Sequence, residues 1–154
     1  MAEAELQYIH RPSESRPLPP GVEFLAVSDF TADEPACKTF WELIQNQFRT
    51  RSKFLAIWPS VRFVCLHRND HGEADGFLLV SAPVNWQIDY VVVKPESRGR
   101  GIASKLVASA LAHAFLHRAP YVMLTSKESL RPLYESCGFM VVPQPTLMAK
   151  AATG

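Results

Sequence analysis

Val91-Val92-Val93-Lys94-Pro95-Glu96-Ser97-Arg98-Gly99-Arg100-Gly101-Ile102-Ala103 reads as a strand that turns through a glycine-containing loop into a helix. Three β-branched residues in a row suit a strand, and Pro95 ends it because proline has no N–H to give to a ladder. Gly99 and Gly101 tolerate backbone angles that turn successive N–H groups towards one point, and a helix starting there adds the partial positive charge of its dipole. Arg98, Arg100 and Lys105 place full charges around that point. Such a loop is a cradle for an anion, a phosphate above all. Neither GxGxxG nor GxxxxGK[ST] spacing occurs in the chain, which excludes the nearest rival phosphate loops.

The helix that follows, Gly99 to His117, has the most regular pattern in the sequence. Ile102, Ala103, Leu106, Val107, Ala110, Leu111, Ala114 and Phe115 fall in pairs four apart, opposite Ser104, Lys105, Ser109, His113 and His117. Upstream, Trp86 to Val93 is a strand. Val61 to Leu66 and Phe77 to Val80 flank the turn formers of Arg68 to Asp75 and predict a hairpin. Before them come a first strand, Val22 to Val27, and an amphipathic helix. That helix is capped within Thr31 to Glu34, has Pro35 near its start, and carries Phe40, Trp41, Leu43, Ile44 and Phe48 in a stripe that continues to Ile57 before Pro59. Downstream, Tyr121 to Leu124 reads as a short strand, Ser129 to Ser136 as a helix with Pro132 in its first turn, and Phe139 to Val142 and Thr146 to Ala149 as closing strands.

At 154 residues, with 47% apolar and 20% charged, the chain has the size and composition of one globular domain. Residues 1–20 hold four of the 12 prolines, and their reading is an extended arm outside the core, leaving 21–154 as the folded domain. The net charge of +1 argues against binding nucleic acid or membrane through bulk charge. Residues 1–77 carry 8 Lys/Arg and 11 Asp/Glu, and residues 78–154 carry 8 and 4, so the anion binder belongs to the second half. Cys37, Cys65 and Cys137 are odd in number, lack CxxC spacing and follow no signal peptide, which points to a reducing cytoplasm. No apolar run approaches the ~18 residues of a membrane span, so a soluble protein is expected.

Arg98-x-x-Gly101-x-Ala103 after Val93-x-Pro95 resembles the coenzyme A pyrophosphate loop of the GNAT acyltransferase superfamily, Gln/Arg-x-x-Gly-x-Gly/Ala. Leu133-Tyr134-Glu135-Ser136-Cys137-Gly138-Phe139 is similar to the Tyr-x-x-x-Gly-Phe close of the same family. The motifs cover about Ile88 to Val142, and the order of elements from Val22 onward also follows that fold. The resemblance implies an α/β domain with a mixed, mostly antiparallel sheet flanked by helices, and acetyl-CoA as the acyl donor. It assigns coenzyme binding to Val91, Val92 and Val93, through backbone groups of a strand that splays from its neighbour, and to Arg98, Gly99, Arg100, Gly101, Ile102, Ala103 and Ser104. A homodimer is a family expectation.

Transfer from a thioester to an amine needs a neutral nucleophile, a stabilised oxyanion and a proton for the departing thiolate. Tyr134 matches the family tyrosine that gives this proton. A phenol of pKa about 10 facing a thiol of about 8.5 makes the step uphill by about 2 kcal/mol, which a short hydrogen bond can offset. In some members a strand glutamate serves as base, and Gln87 stands at that position here. Asp89, two residues on and expected on the same strand face, is the nearest candidate base. Ordered water is the alternative route for the proton.

Other features carry less. His67, Asn69, Asp70 and His71 read as a solvated turn rather than a metal site, and Cys137 as a small residue at a helix end. Trp41 and Phe48 read as core, whereas Trp58 fits core or an acceptor pocket equally. Lys127 replaces an asparagine common in relatives. Two rivals stand beside an N-acetyltransferase acting in a ternary complex: a non-catalytic acyl-CoA-binding module, and a nucleic-acid binder using Arg98 to Gly101, around which aromatic interleaving is absent. The acceptor is a small-molecule or peptide amine, and the acidic first half favours a cationic one.

Overall fold

The computed structural model describes residues 4–29, 35–47, 56, 58–81 and 86–143. Among the described residues, seven strands form one sheet: β1 (Glu5–His10), β2 (Val22–Ala26), β3 (Val61–Arg68), β4 (Ala74–Ser81), β5 (Trp86–Val93), β6 (Val122–Lys127) and β7 (Met140–Val141). Their order is β2-β3-β4-β5-β6-β1-β7. Every neighbouring pair is antiparallel except β5 and β6. A parallel pair needs a long crossover, and α2 (Ile102–Leu116) supplies it. Among the described residues, α1 (Pro35–Gln47) and α3 (Arg131–Ser136) are further helices. This is the mixed, mostly antiparallel α/β architecture expected from the sequence.

The sheet is covered on both faces, and the residues of β4 show how. Leu78 and Val80 join α2 residues Leu106, Val107, Ala110 and Leu111 in one core cluster. Phe77 and Leu79 join α1 residues Phe40, Leu43 and Ile44 in another. Successive strand residues point to opposite faces, so a strand buried on both must be apolar throughout, as Phe77 to Val80 is. Each fully buried leucine contributes about 1.5–3 kcal/mol relative to exposure.

Three expectations are corrected. The N-terminal arm is not wholly outside the core: Glu5–His10 is a strand between β6 and β7, and Tyr8 is fully buried. Its four prolines fall after it, in the irregular stretch 11–20, where a missing N–H does no harm. Ser109, read as solvent-facing on α2, is buried, and its hydroxyl opposes the rise by which burial pushes the Cys65 thiol up to about 12. The strand read over Phe139 to Val142 is only Met140–Val141. Phe48, Ile57, the Thr31 to Glu34 cap and the Thr146 to Ala149 strand lie outside the described residues.

Two irregularities of β5 shape the site. Parallel pairing with β6 involves only Trp86, Gln87 and Ile88, opposite Val122, Met123 and Leu124, so the strands separate beyond Ile88. On the β4 side the register shifts between Leu79–Tyr90 and Val80–Ile88, leaving Asp89 as the unpaired residue of a β-bulge.

Candidate active site

After β5, Pro95–Ser97 make a single tight turn and Arg98 continues in an extended conformation. Its side chain folds back, with Nε donating to the Val93 carbonyl at 3.1 Å, which fastens the loop to the strand end. Gly99 (φ 80°) and Gly101 (φ 75°) occupy the left-handed region, and Gly101 is the N-cap of α2. No side chain caps this helix, leaving its first N–H groups without a side-chain acceptor. A Cβ built on either glycine would meet no atom within 4 Å, so open space lies where a ligand would sit.

This loop edges a cleft of about 660 Å³ lined by Val91, Val92, Val93, Ser97, Arg98, Gly99, Gly101, Ile102, Ala103 and Ser104, and closed by Leu130, Leu133 and Tyr134. All the residues assigned to the coenzyme line it except Arg100, which is exposed beside it and does not. Lys105 is likewise exposed on the first turn of α2. The three valines are only half-buried because the parting of β5 from β6 leaves the cleft against them.

Where the strands part, a smaller cavity of about 120 Å³ is lined by Ile88, Asp89, Tyr90, Val91, Leu124, Thr125, Ser126, Leu130 and Tyr134. Tyr134 belongs to both cavities and is 4% exposed. Burial pushes its phenol above the ordinary value. The Ser126 hydroxyl opposes that rise, and Tyr8 and Cys137 add to it. Asp89 reaches the same cavity, and its carboxylate accepts a hydrogen bond from the Ser81 hydroxyl. The expectation that Asp89 shares the face of Gln87 is corrected: the bulge interrupts the two-residue alternation, and Gln87 is exposed while Asp89 is half-buried at the gap.

The model for the acetyltransferase (GNAT) family matches residues 25–139 of the 154. The chain belongs to the GNAT acetyltransferase family. Its fold is similar to that of a GCN5-related N-acetyltransferase from Sphaerobacter thermophilus (18% identity, TM-score 0.66), covering 90% of this chain and 48% of that one. It is also similar to a GNAT-family protein from Novosphingobium aromaticivorans (25% identity, TM-score 0.62, covering 90% and 59%). A third similar structure comes from Deinococcus radiodurans (18% identity, TM-score 0.58, covering 86% and 90%). The chain thus spans about half the length of the first two. No curated protein sequence matches it. Within the GNAT frame, the matched region starts inside β2 and leaves β1 outside it.

The remaining sequence candidates lie elsewhere. Trp41 and Trp58 pack with Phe40 against the opposite face of the sheet, and Trp58 also edges a separate hollow of about 450 Å³. His67 Nδ1 lies 2.6 Å from the Asp75 carboxylate, and the Asn69 side chain accepts N–H groups of His71 and Glu73, which makes the loop a structured turn. Cys137 lines neither cavity, and burial pushes its thiol up. Lys127 ends β6 opposite Glu5, exposed.

Sequence reasoning missed three residues. Gly76 has no local signal. Ser126 sits in a short strand read for its apolar residues. Tyr8 lies in the segment set aside because of its prolines. Its alternation with Leu6 was the available sign of a half-buried strand.

Proposed function

We propose that the protein is an N-acetyltransferase that moves an acetyl group from acetyl-CoA to a primary amine by direct attack in a ternary complex. The observation that carries this reading is the parting of β5 from β6 beyond Ile88, with the phosphate-type loop at one end of the resulting cleft and Tyr134 in the gap. The uncapped N–H groups of α2 and the Arg98 side chain fit a pyrophosphate, and the free backbone edge of Val91 to Val93 fits the amide groups of a pantetheine arm.

Each proton has a candidate carrier. Asp89, held by Ser81, takes the proton of the attacking amine, and Tyr134 gives one to the sulfur as the thiolate leaves. Acetyl-CoA supplies the activated acyl group, and the chain supplies its orientation and these two groups. The acceptor is a small-molecule or peptide amine, and the place of action is the cytoplasm.

Incubation with acetyl-CoA and a panel of amines, polyamines, amino acids and peptides tests the reading by release of free thiol. Acetylated product on any amine supports it. CoA-dependent thermal stabilisation with no thiol release on the whole panel would instead favour a non-catalytic acyl-CoA-binding module.

A further inference from the structure

Two hydroxyl-bearing side chains, Tyr134 and Ser126, line the small cavity where β5 and β6 part, and the ring of Tyr8 lies behind Tyr134. Tyr134 comes from α3, Ser126 from β6 and Tyr8 from β1. The Tyr8 ring is fully buried and lies 5.2 Å from the Tyr134 ring, inclined at 47°. Leu6 and Tyr8 stand opposite Ser126 and Leu124 in the β1–β6 ladder, so alternate residues of both strands turn to the face that carries Tyr134. Ser126 and Tyr134 line the same small cavity, and the Ser126 hydroxyl opposes the rise that burial gives the Tyr134 phenol. A second ring, that of Phe139, stands 6.0 Å from Tyr134 at 77°, so the phenol is walled on two sides.

We propose that Ser126 and Tyr8 are positioning residues for Tyr134, Ser126 by hydrogen-bonding its oxygen and Tyr8 by walling its ring, so that the N-terminal strand completes the leaving-group side of the site. The inference rests on the acetyl-transfer reading and deepens it. As the C–S bond breaks, the Tyr134 O–H bond breaks and an S–H bond forms, leaving a phenolate that solvent in the cleft reprotonates. Burial disfavours that phenolate, and the Ser126 hydroxyl donates to it and offsets the cost. Tyr8 restricts the ring to the orientation from which the proton can be passed. The strand that does this lies outside residues 25–139, the part of the chain that the family model matches.

Ser126→Ala, Ser126→Thr, Tyr8→Leu and Tyr8→Phe test the proposal with two independent readouts. The first is phenol absorbance against pH, with Tyr134 isolated by subtracting the matching Tyr134→Phe protein. Ser126→Ala moves the Tyr134 ionisation to higher pH, and Ser126→Thr returns it. The second is kinetics. Ser126→Ala and Tyr8→Leu each lower kcat by at least about fivefold while KM for acetyl-CoA stays within about twofold, and the conservative variants Ser126→Thr and Tyr8→Phe keep kcat near that of the unaltered protein. An unmoved ionisation in Ser126→Ala overturns the role of Ser126, even if kcat falls. Equal losses in Tyr8→Leu and Tyr8→Phe overturn the ring-wall role of Tyr8. If Tyr8→Leu does not fold, the Ser126 pair decides alone. Should the unaltered protein acetylate nothing, the functional reading fails, and the absorbance titration still decides the hydrogen bond.

Discussion

Gly76 on β4 lies directly beneath Ile102 at the start of α2: a Cβ at Gly76 would stand 2.9 Å from Ile102 Cγ2 and 3.3 Å from both Leu106 Cδ1 and the Val92 carbonyl oxygen. The absence of a side chain there lets the helix that opens at Gly101 settle onto the sheet. Gly76→Ala should therefore push the first turn of α2 outward. The expected cost is about 1–3 kcal/mol of stability, together with weaker CoA binding. Denaturant unfolding and CoA titration measure both. Gly76→Ala/Ile102→Ala should lose less than the sum of its single variants, because the second change returns the space. Strict additivity would show that the contact is not the cause.

Gly101 is constrained by φ rather than by neighbours. A non-glycine residue at φ 75° costs about 1–2 kcal/mol, and the added Cβ points into open space that the coenzyme would fill. Gly101→Ala is expected to weaken CoA binding by at least about tenfold while the fold persists. Calorimetric titration checks it, and unchanged affinity would remove the loop from the coenzyme site.

Tyr134→Phe and Asp89→Asn separate the two proton-transfer roles. The first should lower kcat by at least about tenfold with CoA affinity retained, since only the proton donor is lost. The second should lower kcat/KM by at least about tenfold with CoA affinity retained, since only the proton acceptor is lost. An unchanged kcat/KM in Asp89→Asn would leave the amine proton to water, and equal turnover in Tyr134→Phe would take the tyrosine out of the mechanism.

Stability should fall on mild acidification. The His113 ring stacks on Phe24 at 3.7 Å, and burial, with help from His117, holds its pKa below the ordinary 6.5. His10, which receives the Arg16 guanidinium at 2.9 Å, is likewise lowered, by burial first and Arg16 second. A histidine with a depressed folded pKa binds protons more readily when unfolded. Its contribution is thus fully present above about 6.5 and is lost as pH falls towards the depressed value. The Tm should drop between pH 7 and pH 5, and His113→Gln should flatten that drop. Parallel Tm profiles for the two proteins would dismiss His113 as a source.

The proposed coenzyme side of the site was legible because its determinants are local. Val91 to Val93, the turn at Pro95 and the left-handed glycines Gly99 and Gly101 follow one another, and short-range sterics and hydrogen bonding assign each its conformation. Tyr134 was legible through its spacing to Gly138 and Phe139. Asp89 was named for an incorrect reason: strand alternation put it beside Gln87, whereas a bulge against β4 carries it into the gap. A bulge depends on the register of two strands, and one strand's sequence does not contain it.

The residues that escaped notice all act between separate elements. Gly76 on β4 answers to Ile102 on α2, Ser126 on β6 to Tyr134 on α3, and Tyr8 on β1 to a helix more than a hundred residues away. By itself the sequence determined most of the elements from Val22 onward, their order and the glycine turn at Gly99 and Gly101, since dihedral preference and hydrophobic period are properties of neighbouring residues. Only the tertiary structure decided that Glu5–His10 slots between β6 and β7 and that β5 parts from β6 at Ile88. Strand partners and the gaps between them are settled by competition for backbone hydrogen bonds and core space among distant segments.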